Sequence, residues 1–189
     1  MPKPRITKEA VLDAALSLLR EQGFEAVNAR SVAERADCSV QPIYSCFSSM
    51  DALMEALYQS ALDFLDRFVE ARADRENYFE SIGQCHIRLA REEPRVFRFL
   101  FLSPWLKARD FAQLYRQFGR VDVAETIQAD TGLTAAEADE LYLNMMLFTH
   151  GVASLLAMGG AAFPVDDVQR RCDGAYFAFL GQIQEARNR

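Results

Sequence analysis

The chain of 189 residues is 50% apolar, 25% charged and 11% aromatic, a composition that excludes a disordered or fibrous protein and is ordinary for a globular one. It carries 21 Lys and Arg against 27 Asp and Glu, a formal charge of −6 that argues at first against a nucleic-acid ligand. The distribution qualifies that exclusion: the first 50 residues hold six basic and six acidic groups, so the whole deficit falls after residue 50 and the two parts differ in electrostatic character.

No apolar run approaches the roughly 18 to 20 uncharged residues of a membrane span. The opening MPKPRITKEA lacks the apolar stretch of a secretory leader, so a cytoplasmic, membrane-free location is expected. Cys38, Cys46, Cys85 and Cys172 form no CxxC pair, and no His sits at ligand spacing from them. Free thiols are expected, with neither a metal nor a cofactor.

Apolar residues recur with a helical period throughout, and Gly and Pro cut the chain into amphipathic pieces, so the expected fold is all-α with about nine helices. Thr7 is a good N-cap for a first helix with Val11, Ala14, Ala15, Leu18 and Leu19 on one face and Gly23 as its stop. Asn28 caps a second helix of about two turns, flanked by Val27 and Val32 as a hydrophobic staple, with Ala33 and Ala36 inward. Asp37-Cys38 supplies a tight turn, since Asp tolerates a left-handed conformation, and Ser39 caps a third short helix with Pro42 in its first turn. Ser48-Ser49 closes that helix and caps a long fourth, striped by Leu53, Leu57, Ala61, Phe64, Leu65 and Phe68.

After the charged break 72–76, a fifth helix carries Phe79, Ile82, Cys85, His86 and Leu89 up to Glu93-Pro94. A short sixth has Phe97, Leu100 and Phe101. A seventh is expected to run through Phe111, Leu114, Tyr115, Phe118 and Val121 to the Asp130-Thr131-Gly132 break. Thr134 to Glu137 is a capping-box pattern opening an eighth helix with Leu141, Tyr142, Met145, Phe148, Val152 and Leu155 inward, ended by Gly159-Gly160. Asp166 caps the last, with Val168, Cys172, Ala175, Phe179 and Ile183 along one side.

Two short helices joined by a tight turn and packed on a longer one are the layout of a helix-turn-helix reader. The run from Ala10 to Leu53 resembles the DNA-binding region of the TetR family of bacterial transcriptional regulators. The matching residues are the apolar first helix, Gly23-Phe24, Val32-Ala33, Ser39, Ile43-Tyr44, Phe47 and Leu53. It departs from the family pattern at Asp37, where Gly is usual, at Met50, where Lys is frequent, and in a recognition helix without a basic residue. The resemblance implies a three-helix DNA-binding domain over 1–49 and a helical effector-binding and dimerisation domain over 50–189.

Base readout needs short or flexible polar side chains at the exposed start of the recognition helix, the end that enters the groove. Val40, Gln41, Pro42 and Ser45 stand there: Gln41 suits adenine, Val40 and Pro42 a thymine methyl, and Ser45 a base or phosphate, with Pro42 alternatively only stiffening the backbone. Phosphate contacts are expected from Lys3, Arg5, Lys8, Asn28, Arg30, Ser31, Ser39 and Tyr44, the last alternatively a core residue.

An effector pocket needs apolar lining with few polar anchors. His86, Phe97, Phe101, Trp105, Phe111, Tyr115, Phe118, Tyr142, Met145 and His150 are its candidates; for any single aromatic a place in the core is the first reading, while His86 and His150 each interrupt an apolar face and suit either role. In the last helix Gly174, Ala178 and Gly181 follow i, i+4, i+7 spacing beside Ala175 and Phe179, and with Val152 and Leu155 they are the expected homodimer interface. No GxSxG, HExxH or phosphate loop is present, and no Glu stands three residues before either His, so catalysis is not expected. The expected function is a ligand-responsive repressor bound to a palindromic double-stranded operator and released by a small apolar or aromatic effector. The alternative is a helical protein-interaction module without specific DNA binding.

Overall fold

The structure, a computed structural model, describes residues 6–159 and 162–187. Along them run ten α-helices, and no strand occurs among the described residues. They are α1 (Lys8–Gln22), α2 (Ala29–Arg35), α3 (Val40–Cys46), α4 (Met50–Glu70), α5 (Tyr78–Glu92), α6 (Pro94–Phe101), α7 (Phe111–Phe118), α8 (Val121–Thr131), α9 (Ala135–Ala157) and α10 (Val165–Arg187). A single 3-10 turn, Phe24–Ala26, follows α1.

The count is ten rather than nine because the expected seventh helix is two. Gly119 adopts an extended conformation (φ −69°, ψ 147°) and ends α7, and Arg120 caps α8. A Cβ at Gly119 would lie 2.5 Å from the Tyr115 carbonyl oxygen, so only glycine lets the chain leave α7 at that angle. Val121, expected to face inward, is instead exposed at the start of α8. Asp166 falls inside the first turn of α10, which begins one residue earlier, rather than at its cap.

By packing, the chain divides into two compact units. The first is Met1–Phe68 with Glu93–Leu106. In it α1 packs on α2 and α6, α2 packs on α3, and Val11, Leu19, Val32, Ile43, Leu53, Leu57, Phe97, Phe99 and Leu100 are wholly or almost wholly buried. Each large side chain of this kind contributes about 1.5 to 3 kcal/mol by leaving water. Phe24 and Tyr58 lean on Phe99 with ring centroids 5.6 and 5.5 Å away. The Tyr58 hydroxyl donates to the Leu100 carbonyl at 2.8 Å, which satisfies the one polar atom that this ring brings inside.

The second unit is Val69–Glu92 with Lys107–Arg189. Here α9 is the central helix, packed against α5, α8 and α10. Tyr78, Val123, Ile127, Leu141, Tyr142, Met145 and Ile183 form its core. Two ends are set by local chemistry: Thr134 and Glu137 cap α9 reciprocally, and Gly132 closes α8 in the left-handed region (φ 68°). The functional boundary expected between residues 49 and 50 coincides with the start of α4 and is distinct from this division by packing.

Candidate nucleic-acid interface

Local chemistry explains how α3 comes to be presented. Thr7 accepts from the Ala10 amide and starts α1; Gly23, at φ 96°, ends it and reverses the chain. Asn28 Oδ1 accepts from the amides of Arg30 and Ser31, while Ser31 Oγ accepts from the Asn28 amide, a reciprocal cap that fixes the start of α2. Val27 and Val32 are both buried beneath it. Asp37 carries the turn at φ 48°, and Ser39 stands at the N-cap of α3 without a capping hydrogen bond from its side chain. Ser49 Oγ accepts from the Ala52 amide and starts α4. Ile43 and Phe47 are buried, which anchors α3 by one face.

The opposite face of α3 is open. Gln41 and Ser45 are exposed, Val40 is 38% and Tyr44 52% exposed, and Pro42 is half-buried. Tyr44 is thus a surface residue, and the reading of it as core is set aside. Ser45 Oγ donates to the Gln41 carbonyl at 3.2 Å. No charge lies between Ser39 and Phe47.

Among the described residues of the first unit, most cations are engaged. Arg35 donates to Ser17 Oγ at 2.6 Å and to Glu21 Oε1 at 2.7 Å, and the bonds that Glu21 accepts, from Arg35 first and from Ser17 Oγ at 3.1 Å, hold its carboxyl well below its ordinary range, at about 2. Arg20 pairs with Glu93 through two hydrogen bonds, and its ionisation is raised by that carboxylate. Lys8 Nζ sits 5.0 Å from the centroid of the Phe47 ring. Arg30, by contrast, projects exposed from the first turn of α2. The polar atoms of Asn28 and Ser31 are taken up in the α2 cap, and Lys3 and Arg5 lie outside the described residues. A depression of about 390 Å³ lined by Asp13, Leu16, Ser17, Arg20, Glu21 and Glu93 runs beside these pairs, and its charged lining is unlike that of an apolar ligand pocket. The pairs Arg35–Glu21 and Arg20–Glu93 join residues 14 and 73 apart in the chain, a separation that leaves no periodic trace in the sequence.

The ten pocket candidates fall in both units. Phe97 and Phe101 are buried in the interior of the first, 4.9 Å apart, and Trp105 is half-buried in it. In the second, Tyr142 packs edge-on against Tyr115 and Phe79, at 5.4 and 5.7 Å. Tyr115 donates to Asp139 at 2.7 Å; burial raises its phenol and that of Tyr142, the latter to about 12. His86 and His150 approach to 5.6 Å between ring centroids, and burial, helped by the neighbouring imidazole, lowers His86 to about 3. Met145 is buried, Phe118 half-buried, and Phe111 is 62% exposed. Among the dimer candidates, Leu155 is 56% exposed, Gly174 and Ala178 are exposed, and Val152, Ala175, Phe179 and Gly181 are half-buried. A Cβ on Gly174 or Gly181 would meet nothing within 4 Å, so these glycines do not serve close packing within their own chain. Phe177, 68% exposed, extends the same apolar face and was not among the expected residues.

All four cysteines are free thiols, and no group of three or more potential metal ligands occurs among the described residues. No described helix is long and apolar enough to cross a membrane.

Residues 11–57 match the family described as bacterial regulatory proteins, tetR family. The HTH-type transcriptional regulator YvkB of Bacillus subtilis is 27% identical over 101 residues, 53% of each chain. The HTH-type nicotine-responsive transcriptional repressor HdnoR of Paenarthrobacter nicotinovorans is 30% identical over 67 residues, 35% of this chain and 34% of the relative. The chain thus spans about half the length of the first of these relatives and a third of the second. Among solved structures, a TetR family protein from Vibrio parahaemolyticus superposes with a TM-score of 0.64 over 89% of this chain and 95% of that one, at 15% identity. That likeness shows a shared fold.

Proposed function

The chain belongs to the TetR family of bacterial transcriptional regulators and carries that family's DNA-binding domain, and from this premise we propose that it is a cytoplasmic, homodimeric repressor of a palindromic operator. Residues 1–49 read the DNA, and 50–189 dimerise and bind a small apolar or aromatic effector that releases it. It acts by binding and not by catalysis. The observation that carries this reading is the face of α3: Val40, Gln41, Tyr44 and Ser45 lie open on a helix anchored from behind by Ile43 and Phe47. Such a helix can enter the major groove with its anchoring face turned away from the bases.

Arg30, Ser39 and Tyr44 are exposed phosphate candidates, and Lys8, also exposed, is placed over Phe47. Two copies joined through the exposed face of α9 and α10 would set their reading helices about 34 to 36 Å apart, one turn of DNA, or a multiple of it. The effector is sought within the second unit, around Tyr115, Tyr142, Met145, His86 and His150, where ring faces and few polar atoms meet.

A mobility-shift titration of the fragment upstream of the gene, with random competitor DNA, tests this reading. A complex that survives competitor supports it; a helical interaction module gives none. Ala178→Arg should yield a monomer by light scattering and abolish the complex while leaving helicity unchanged. A dimeric Arg variant sinks the placement of the interface.

A further inference from the structure

Guanine shows the major groove two acceptors, N7 and O6, and a protein meets them with paired donors, most often an arginine. Nothing on the open face of α3 supplies such a pair. Gln41 offers a carboxamide, one donor group beside one acceptor, which matches adenine N6 and N7. The Ser45 hydroxyl, 3.2 Å from the Gln41 carbonyl to which it donates, carries a single hydrogen and so cannot by itself supply the paired donors that guanine asks for. Val40, 38% exposed, offers methyl groups, for which thymine has the only counterpart in the groove.

The guanidiniums of α1 and of the end of α2 do not replace the missing donors, because Arg35 is bound to Glu21 and Ser17 and Arg20 to Glu93. A cytosine amino group would suit Ser45, but it brings with it the guanine acceptors that the helix leaves unmet. We propose that α3 selects half-sites whose facing positions are A·T pairs, that it rejects guanine there, and that Gln41 is the residue specifying adenine. The inference rests on the reading of the chain as an operator-binding protein and adds the base composition of the site.

Selection of a random-sequence duplex library by the purified full-length chain, run in parallel with Gln41→Arg of verified helicity, tests it. The Arg variant marks the positions that residue 41 faces, by converting a symmetric pair of them to guanine. At those positions the unmodified chain should enrich A·T, and exchange to G·C in one half-site should weaken binding about tenfold or more. Guanine enriched there by the unmodified chain overturns the inference and leaves the operator reading standing. An unchanged preference in the folded Arg variant removes the role of Gln41. If the Arg variant does not fold, the base composition selected by the unmodified chain decides alone. Failure of the unmodified chain to enrich any palindrome overturns the operator reading and this inference with it.

Discussion

The two units differ most in what they put inside. The interior of the first is mostly aliphatic and phenyl, with Phe97, Phe99, Leu19, Ile43, Leu53 and Leu57 fully buried, and the hydroxyls it takes in, of Tyr58 and Ser103, each donate to a carbonyl of α6. The second buries polar groups of more kinds: the hydroxyls of Ser81 and Thr149, the phenol of Tyr142, and an imidazole nitrogen of His86. An interior of the first kind holds one geometry over a wide range of conditions, as a reading head requires. One of the second kind couples its stability to protonation and to whatever polar ligand enters, because low polarity magnifies each gain or loss of a hydrogen bond.

The largest expected effect comes from opening the dry interior. Phe97→Ala should cost about 3 to 5 kcal/mol in denaturant titrations, as truncation of a fully buried aromatic does. A loss under about 1 kcal/mol would mean that the first unit is not tightly packed around this ring.

The second prediction separates the units by pH. His86 has its pKa lowered from 6.5 to about 3, so between these values the unfolded chain binds a proton that the folded one refuses. That contribution is complete above pH 6.5 and lost as pH falls toward 3, amounting to about 2 kcal/mol by pH 5. His86→Gln should flatten the stability profile in that window, and coincident profiles for the two proteins would refute the assignment. Glu21 is the counterpart in the first unit, lowered from 4.5 to about 2 by Arg35. Its contribution is present above pH 4.5 and is lost only as pH falls toward 2. On acidification, hydrogen exchange should therefore quicken in the second unit first.

Tyr78→Phe removes a hydroxyl that donates to Asp122 at 2.7 Å and accepts from Arg120 at 3.2 Å. It should cost about 1 kcal/mol in the same titration. The smallest stability change belongs to Arg30→Ala, within about 0.5 kcal/mol, since the side chain is exposed. Its effect should be on DNA, lowering the salt dependence of operator binding by roughly one unit of slope. An unaltered slope means that Arg30 touches no phosphate.

The first unit was the more legible in sequence because its punctuation is local. Thr7, Gly23, Asn28, Asp37, Ser39 and Ser49 act on residues within a few positions of themselves, and the boundaries from α1 to the start of α4 follow from them. Gly119 escaped because a lone glycine in a periodic segment is compatible with a continuous helix, and its necessity lies in a close approach to Tyr115 that spacing does not record. At the candidate interface the neutral character of α3 was readable directly. The pairing of Arg20 and Arg35, and the position of Lys8 over Phe47, depend on tertiary contacts and were not.

Asp37 is, among the described residues, the one non-glycine position with a positive φ. Because the bend between α2 and α3 is held by the Cys38 amide donating to the Ala33 carbonyl at 2.9 Å and by the buried Val32 and Ile43 on either side, the reading helix is already oriented when it meets a ligand. Association then forfeits little chain entropy at this joint, and the heat capacity change of DNA binding should reflect buried surface rather than coupled folding. Replacing Asp37 by a β-branched residue, which resists this backbone region, would turn a preorganised hinge into one that must be ordered on contact.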